Sequence, residues 1–240
     1  MKEENLKLEE LTIFFPFYNE EQNIENVVET ATEKLRKYVD FDHLEMILVN
    51  DGSKDKTGEL ADKLSKKYSF IKVIHHNINK GYGAALISGY TNATKKYIFY
   101  TDGDGQFDID EIKLLIPYLK DYDVITGYRK KRIDPTHRLV IAFFFNLLMK
   151  IVFKVKVRDV DCAFKLIKKD VLKDIHLESQ GAFIDAELLI KAGKQNFKII
   201  EVGVTHYPRK FGEATGSNLL VITRAFFEIL YNFYYFYLKK

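Results

Sequence analysis

Short apolar runs alternate with longer amphipathic stretches through the first half of the chain. Leu11-Thr12-Ile13-Phe14-Phe15 is closed by Pro16, and 44–49, 71–74 and 96–101 follow it at regular intervals. Each run has the length and the branched or aromatic content of a largely buried strand. The stretches between predict helices: from Asn19, as N-cap, to Tyr38; from Asp55 to Tyr68, carrying Leu60 and Leu64; over 81–93; and over 109–120. Further strands are expected at Asp123-Val124-Ile125-Thr126 and at 197–204. Strands and helices alternating at this spacing predict βαβ units on a mostly parallel sheet, whose ligands sit beyond the carboxyl ends of the strands.

The pattern changes in 129–158. Nine basic residues (Arg129, Lys130, Lys131, Arg132, Arg138, Lys150, Lys154, Lys156, Arg158) face one acid, Asp134, around the apolar run 139–149. Arg138, Asn146, Lys150 and Lys154 are spaced in multiples of four, which predicts a helix with a narrow basic stripe and a broad apolar face. Two readings are open: a core helix with a solvated edge, or a helix on an anionic membrane surface, where each basic residue contributes ~1 kcal/mol. Residues 219–238 repeat the pattern with Arg224, Glu228 and Asn232 on one stripe. Twenty helical residues span ~30 Å, enough to cross a bilayer. The charges within the segment favour instead an interfacial helix, or a contact with a second copy or a membrane protein.

Composition narrows the classes. A chain of 240 residues with 47% hydrophobic content can bury the core of one α/β domain. A net charge of +3 gives no bulk attraction for nucleic acid, so no nucleic-acid partner is expected. One cysteine, Cys162, excludes an intramolecular disulfide framework and fits a reducing compartment. It reads as a packing residue rather than a nucleophile. The charged first ten residues lack a signal-like apolar segment, and no run of 18 uncharged apolar residues occurs. The expectation is a cytoplasmic protein, peripherally attached to a membrane through its basic apolar segments.

Chemistry gathers at predicted strand ends: Tyr18-Asn19-Glu20, then Asn50-Asp51 to Asp55, then Asp102-Gly103-Asp104-Gly105-Gln106. Asp102 and Asp104, one residue apart between glycines, suit Mg²⁺ or Mn²⁺, which are held by one or two carboxylates plus substrate phosphates. An acidic turn is the alternative. An EF-hand loop counted from Asp102 fails, because its sixth position is Phe107 and its twelfth Lys113. Carboxylates gathered on one edge repel unless a cation or a hydrogen-bonding ligand is present. Gly81-Tyr82-Gly83 begins like a dinucleotide fingerprint but continues wrongly, and no P-loop pattern exists. Downstream, Asp185 is a candidate general base and Glu187 an orienting carboxylate; either is equally a charge favoured at a helix start.

Four motifs in order, 15–20, 49–57, 79–85 and 102–106, resemble family 2 glycosyltransferases of the GT-A fold. Within that family, 159–165 and 209–214 resemble the polyprenyl-phosphate (dolichyl-phosphate) sugar synthases. The resemblance covers about 11–216. It implies a GT-A domain over 1–216, a Rossmann-like, mostly parallel sheet flanked by helices, with amphipathic membrane-facing helices in the C-terminal half and an aromatic helix at 217–240. It further implies that Pro16, Tyr18, Glu20, Asp51, Lys80, Asp102, Gly103 and Arg209 bind the donor, a UDP- or GDP-hexose. Asp102, Asp104 and Gln106 would hold the metal, and Arg129 and Arg138 the acceptor phosphate. Asp102, Asp104, Arg129 and Asp185 would form the catalytic set. The implied reaction is inverting transfer of a hexose to polyprenyl phosphate at the cytoplasmic membrane face. A hydroxyl acceptor would instead need Asp185 as base. Asn50 in place of a second acid, and Ala163 and Ala214 where many relatives carry Gly and Ser, depart from the family pattern.

Overall fold

The structure, a computed structural model, describes residues 7–132, 136–212, 228–231 and 233. Seven strands form one sheet: β1 (Leu11–Phe17), β2 (Leu44–Asn50), β3 (Ile71–His75), β4 (Tyr97–Thr101), β5 (Val124–Arg129), β6 (Phe164–Lys168) and β7 (Ile199–Val204). Their order is β3-β2-β1-β4-β6-β5-β7. Helices α1 (Ile24–Leu35), α2 (Thr57–Lys67) and α3 (Tyr82–Asn92) connect the first four strands. These strands pair in parallel, as the alternation predicts. The order reverses between β1 and β4, which opens a crevice at their carboxyl ends.

The strand absent from the sequence reading is β6. It runs antiparallel to both β4 and β5, so its N-terminal end reaches the same edge as their C-terminal ends. Its lysines hid it, since Phe164-Lys165-Leu166-Ile167-Lys168 lacks the uniform apolar run of a central strand. Lys165 is nevertheless fully buried. Two helices also differ from expectation. Asn19 is not an N-cap: its φ is 56°, its Oδ1 accepts from Lys54 N at 2.8 Å, and α1 begins five residues later. The stretch 109–120 holds only a short α4 (Ile112–Leu115) between two tighter turns, the second containing Pro117, which cannot donate to a helix.

The core lies on both faces of the sheet. Phe14 of β1 stacks on Tyr100 of β4 at 5.4 Å, and Tyr90 of α3 meets Phe14 edge-on at 4.9 Å. α5 (Thr136–Val152) follows β5, and α6 (Ile184–Lys194), with most of its residues buried, packs against α3 and β7 and reaches Tyr100 of β4 and Lys165 of β6 through Asp185. Among the described residues, no helix is long and apolar enough to cross a membrane. Most of 219–238 lies outside the described residues, although 228–231 and 233 are helical.

Candidate active site at the carboxyl edge of the sheet

β1 delivers Tyr18 and Glu20 to this edge, β2 Asp51, β4 Asp102 and Asp104, β5 Arg129, the entry to β6 Asp159 and Asp161, and the exit of β7 Arg209. Parallel register places the strand ends side by side, because Phe17 pairs with Asn50 and Asn50 with His75.

The first wall is built by local hydrogen bonding. Asp55 anchors α2, its Oδ1 accepting from Thr57 N and Oγ1 at 3.0 and 2.6 Å and its Oδ2 from Glu21 N. That carboxylate is committed to the turn. Asp51 is buried; Oδ1 pairs with His76 Nδ1 at 2.6 Å and accepts from Lys80 N, and Oδ2 accepts from Gly81 N. It ties the end of β2 to the loop before α3, while the Lys80 side chain stays exposed. Gly52, at φ 67°, lets the two loops touch, since a Cβ there would stand 2.3 Å from the Ile78 carbonyl carbon. Tyr18 is exposed beside them, and Pro16 is half-buried.

The acidic centre follows. Gly103 lies against the Phe17 ring, where a Cβ would come within 2.3 Å. Asp102 Oδ1 accepts from the Tyr82 hydroxyl at 3.0 Å. Burial, then the charge of Asp104, pushes Asp102 up to about 8, against the pull of the Tyr82 hydrogen bond. Asp104 Oδ2 faces Arg209 Nη2 at 3.3 Å, and the same nitrogen donates to Glu20 Oε1 at 2.6 Å. Burial raises Glu20 despite Asn23 and Arg209. Gln106 donates its side-chain amide to the Tyr207 carbonyl at 2.8 Å, which leaves only its amide oxygen for a metal. Among the described residues, no cluster of three or more His, Cys, Asp or Glu could hold a metal unaided. Two hard carboxylates that repel one another nevertheless suit a divalent cation whose remaining ligands are substrate phosphates. A guanidinium already neutralises one of them.

The third part is basic. Asp159 receives Arg129 through Nε at 2.7 Å and Nη2 at 2.6 Å, with Arg132 Nη1 at 3.7 Å. Burial opposes both charges, and the pairing outweighs it, raising Arg129 and lowering Asp159. Beside the pair opens a cavity of about 350 Å³, with Arg129, Lys130, Arg132 and Arg158 on one side and Leu139, Ala142 and Phe143 of α5 on the other. Arg138 lies half-buried on α5. The predicted basic stripe is shorter than its spacing suggests. Asn146 turns inward, its Oδ1 accepting from Val160 N at 2.9 Å, and Lys154 lies beyond the helix end at φ 57°. The apolar face divides: Met149 is fully buried, whereas Phe143 and Ile151 are 63% and 69% exposed.

Asp185, only 3% exposed, lies behind Asp102 rather than in the open cleft. Its Oδ1 accepts from Lys165 Nζ at 2.7 Å and Tyr100 OH at 2.6 Å. Glu187 accepts backbone N–H groups of Glu178 and Ser179, an orienting role. Cys162 is buried and its thiol pushed up by burial, in line with a packing residue. Sequence reading missed Asp159, Asp161 and Tyr82 as site residues. Asp159 and Asp161 were visible only as part of a motif, and Tyr82 only inside a failed glycine fingerprint.

The model for glycosyl transferase family 2 matches residues 12–176. A dolichyl-phosphate beta-glucosyltransferase of Trichomonas vaginalis is 29% identical, covering 88% of this chain and 68% of its own length. A dolichol-phosphate mannosyltransferase of Pyrococcus furiosus is 30% identical over 85% of this chain and 58% of its own. A glycosyltransferase of Haloferax volcanii, 28% identical, is spanned over only 33% of its length, so this chain corresponds to a part of some relatives. Among solved structures, glucosyl-3-phosphoglycerate synthase of Mycobacterium tuberculosis with Mn²⁺, UDP-glucose and phosphoglyceric acid has a TM-score of 0.72 at 16% identity, covering 94% of this chain and 80% of that one. A mannosyltransferase of Pyrobaculum calidifontis with GDP-mannose and Mn²⁺ gives 0.66 at 16% identity, covering 92% and 64%.

Proposed function

Because this chain belongs to glycosyl transferase family 2, we propose that it transfers a hexose, with inversion, from a UDP- or GDP-sugar to a polyprenyl phosphate at a membrane surface. The observation that carries this reading is the basic cavity beside Arg129, on the same sheet edge as Asp102 and Asp104. Leu139, Ala142 and Phe143 of α5 wall it on one side, and Phe143 continues into the exposed apolar surface of that helix. A lipid phosphate needs that combination: cations for its head and an apolar surface beside them for its tail. Relatives named for dolichyl phosphate support the acceptor class.

In this reading Tyr18, Glu20 and the Asp51 loop, with Pro16 and Lys80, cradle the nucleoside. Gly103, packed against the Phe17 ring, sets the course of the Asp102–Asp104 loop beneath the diphosphate, and Arg209 moves from Glu20 and Asp104 onto it. A Mg²⁺ or Mn²⁺ ion on Asp102 and Asp104, with Gln106 at its rim, would supply Lewis-acid stabilisation of the departing diphosphate. Arg129, held rigid by Asp159, and Arg138 orient the acceptor. A phosphate is already an anionic nucleophile at neutral pH, so it has to be aimed rather than deprotonated. Its oxygen bonds to the anomeric carbon as the bond to the diphosphate breaks on the opposite side. A hydroxyl acceptor would need a free base, and Asp185 is ion-paired to Lys165.

Incubation with labelled UDP- and GDP-hexoses, Mn²⁺ and polyprenyl phosphate should yield an organic-soluble product. Transfer to glycan or protein hydroxyls without any lipid product would overturn the reading.

A further inference from the structure

Behind Asp102 lies a row of buried polar groups that neither donor nor acceptor binding uses. It begins at Lys165, whose three ammonium protons meet three acceptors: Val160 O at 3.1 Å, Cys162 O at 2.6 Å and Asp185 Oδ1 at 2.7 Å. A buried lysine with every donor satisfied has one orientation. Asp185 Oδ1 also accepts a hydrogen bond from the Tyr100 hydroxyl at 2.6 Å. Tyr82 donates to Asp102 Oδ1 at 3.0 Å, and its oxygen lies 3.3 Å from the Tyr100 oxygen, a packing contact, since both hydroxyl protons go to carboxylates.

Tyr82 is fixed from its backbone side as well. It opens α3, and the next residue, Gly83, donates its N–H to Gln180 O at 2.9 Å. A Cβ on Gly83 would stand 2.2 Å from Ser179 O, so the start of α3 is pressed against the loop before α6. Glu187 holds that loop by accepting from Ser179 N at 2.8 Å. The Tyr82 hydroxyl is thus located by contacts on two sides.

We propose that Tyr82 is a positioning residue for Asp102, backed by the Tyr100–Asp185–Lys165 line. The terminal torsion of an aspartate is broad and two-fold, so the carboxylate alone does not choose which oxygen faces the substrate. The hydrogen bond from Tyr82 engages Oδ1 and presents Oδ2 to the diphosphate side. On this assignment Asp185 is an internal anchor for the donor half of the site. The role rests on the proposed metal–diphosphate function of Asp102.

The test is calorimetric titration of Mn²⁺ into the full chain saturated with UDP and, separately, with GDP. Tyr82→Phe should bind Mn²⁺ about tenfold more weakly, the loss expected when one hydrogen bond to a charged group is removed, with little change in melting temperature. Tyr100→Phe removes the oxygen that confines the Tyr82 hydroxyl from behind and should weaken it less, about threefold, a smaller loss than that of the direct hydrogen bond. Tyr90→Phe is the control, because its buried hydroxyl has no hydrogen-bond partner in the same aromatic cluster, and it should leave the affinity unchanged. Equal affinity in wild type and Tyr82→Phe would overturn the role, as would an equal loss in Tyr90→Phe. If Tyr82→Phe does not fold, unchanged affinity in Tyr100→Phe overturns it. A wild-type chain that binds neither nucleotide with Mn²⁺ overturns the reading of the site and this role together, before any variant is compared.

Discussion

Asp161, on the turn before β6, and Lys165, within that strand, are ionisable side chains carried into the interior. Asp161 Oδ1 is buried without a hydrogen-bond partner, and burial, followed by the charge of Asp185, pushes its carboxyl up to about 7 from 3.8. The folded chain therefore holds this proton up to about pH 7, while the unfolded chain releases it near 4. Between those values unfolding releases a proton, so the contribution of Asp161 to stability falls as pH rises and its full cost is present above about 7. Asp161→Asn should accordingly raise the melting temperature at pH 8 and change it little at pH 4, as measured by thermal unfolding at both. Lys165→Met leaves Asp185 buried without its cation, a loss of about 3–5 kcal/mol in urea unfolding. The double variant Lys165→Met/Asp185→Leu should recover much of it, because the unpaired charge and not the missing lysine carries the cost.

At the scale of elements, α5 is the piece whose surface contradicts its composition. A soluble face would not leave Val140, Ile141, Phe143, Phe144, Leu147, Leu148 and Ile151 exposed along one helix. The periodicity of 139–149 reveals amphipathicity, but a helix can turn its apolar face either way, and only the inward set of Phe145, Met149, Val152 and Phe153 shows how much remains outside. A Phe143→Ser/Phe144→Ser/Ile151→Ser variant should lose cosedimentation with anionic vesicles while keeping its melting temperature. Wild-type binding should weaken from 0.1 to 0.5 M salt if the neighbouring basic residues contribute. β6 gives the opposite lesson. Two lysines in five residues conceal a central strand when one of them, Lys165, finds three buried acceptors.

For the whole molecule, the proposed site joins the two halves of the sheet: the residues proposed for the donor lie at the ends of β1, β2 and β4, those proposed for the acceptor on β5 and around β6. Arg209 bridges Glu20 and Asp104 across 189 and 105 positions of sequence. A nucleoside diphosphate with Mn²⁺ should therefore stabilise the fold as a unit. At a hundred times its dissociation constant, it would add about 2.7 kcal/mol, a rise of about 5–10 °C for a chain of this size. EDTA should abolish the shift, and a rise that survives EDTA would show nucleotide binding without metal.

Much was determined by the sequence alone. Apolar runs of strand length, amphipathic helices between them and the placement of Asp51, Asp102 and Asp104 at strand ends are local signals, each encoded within a few residues. They sufficed to predict a mostly parallel sheet with chemistry on one edge, and the ordered motifs sufficed for the family. Tertiary structure decided the antiparallel entry of β6, the committed state of Asp55 and Asp185, the Asp159 clamp on Arg129 and the outward face of α5. Each depends on partners distant in the chain, as when Tyr100 meets Asp185 across 85 positions. A carboxylate that binds a ligand and one that holds a lysine have the same letter in a sequence. They differ only in what folding brings against them.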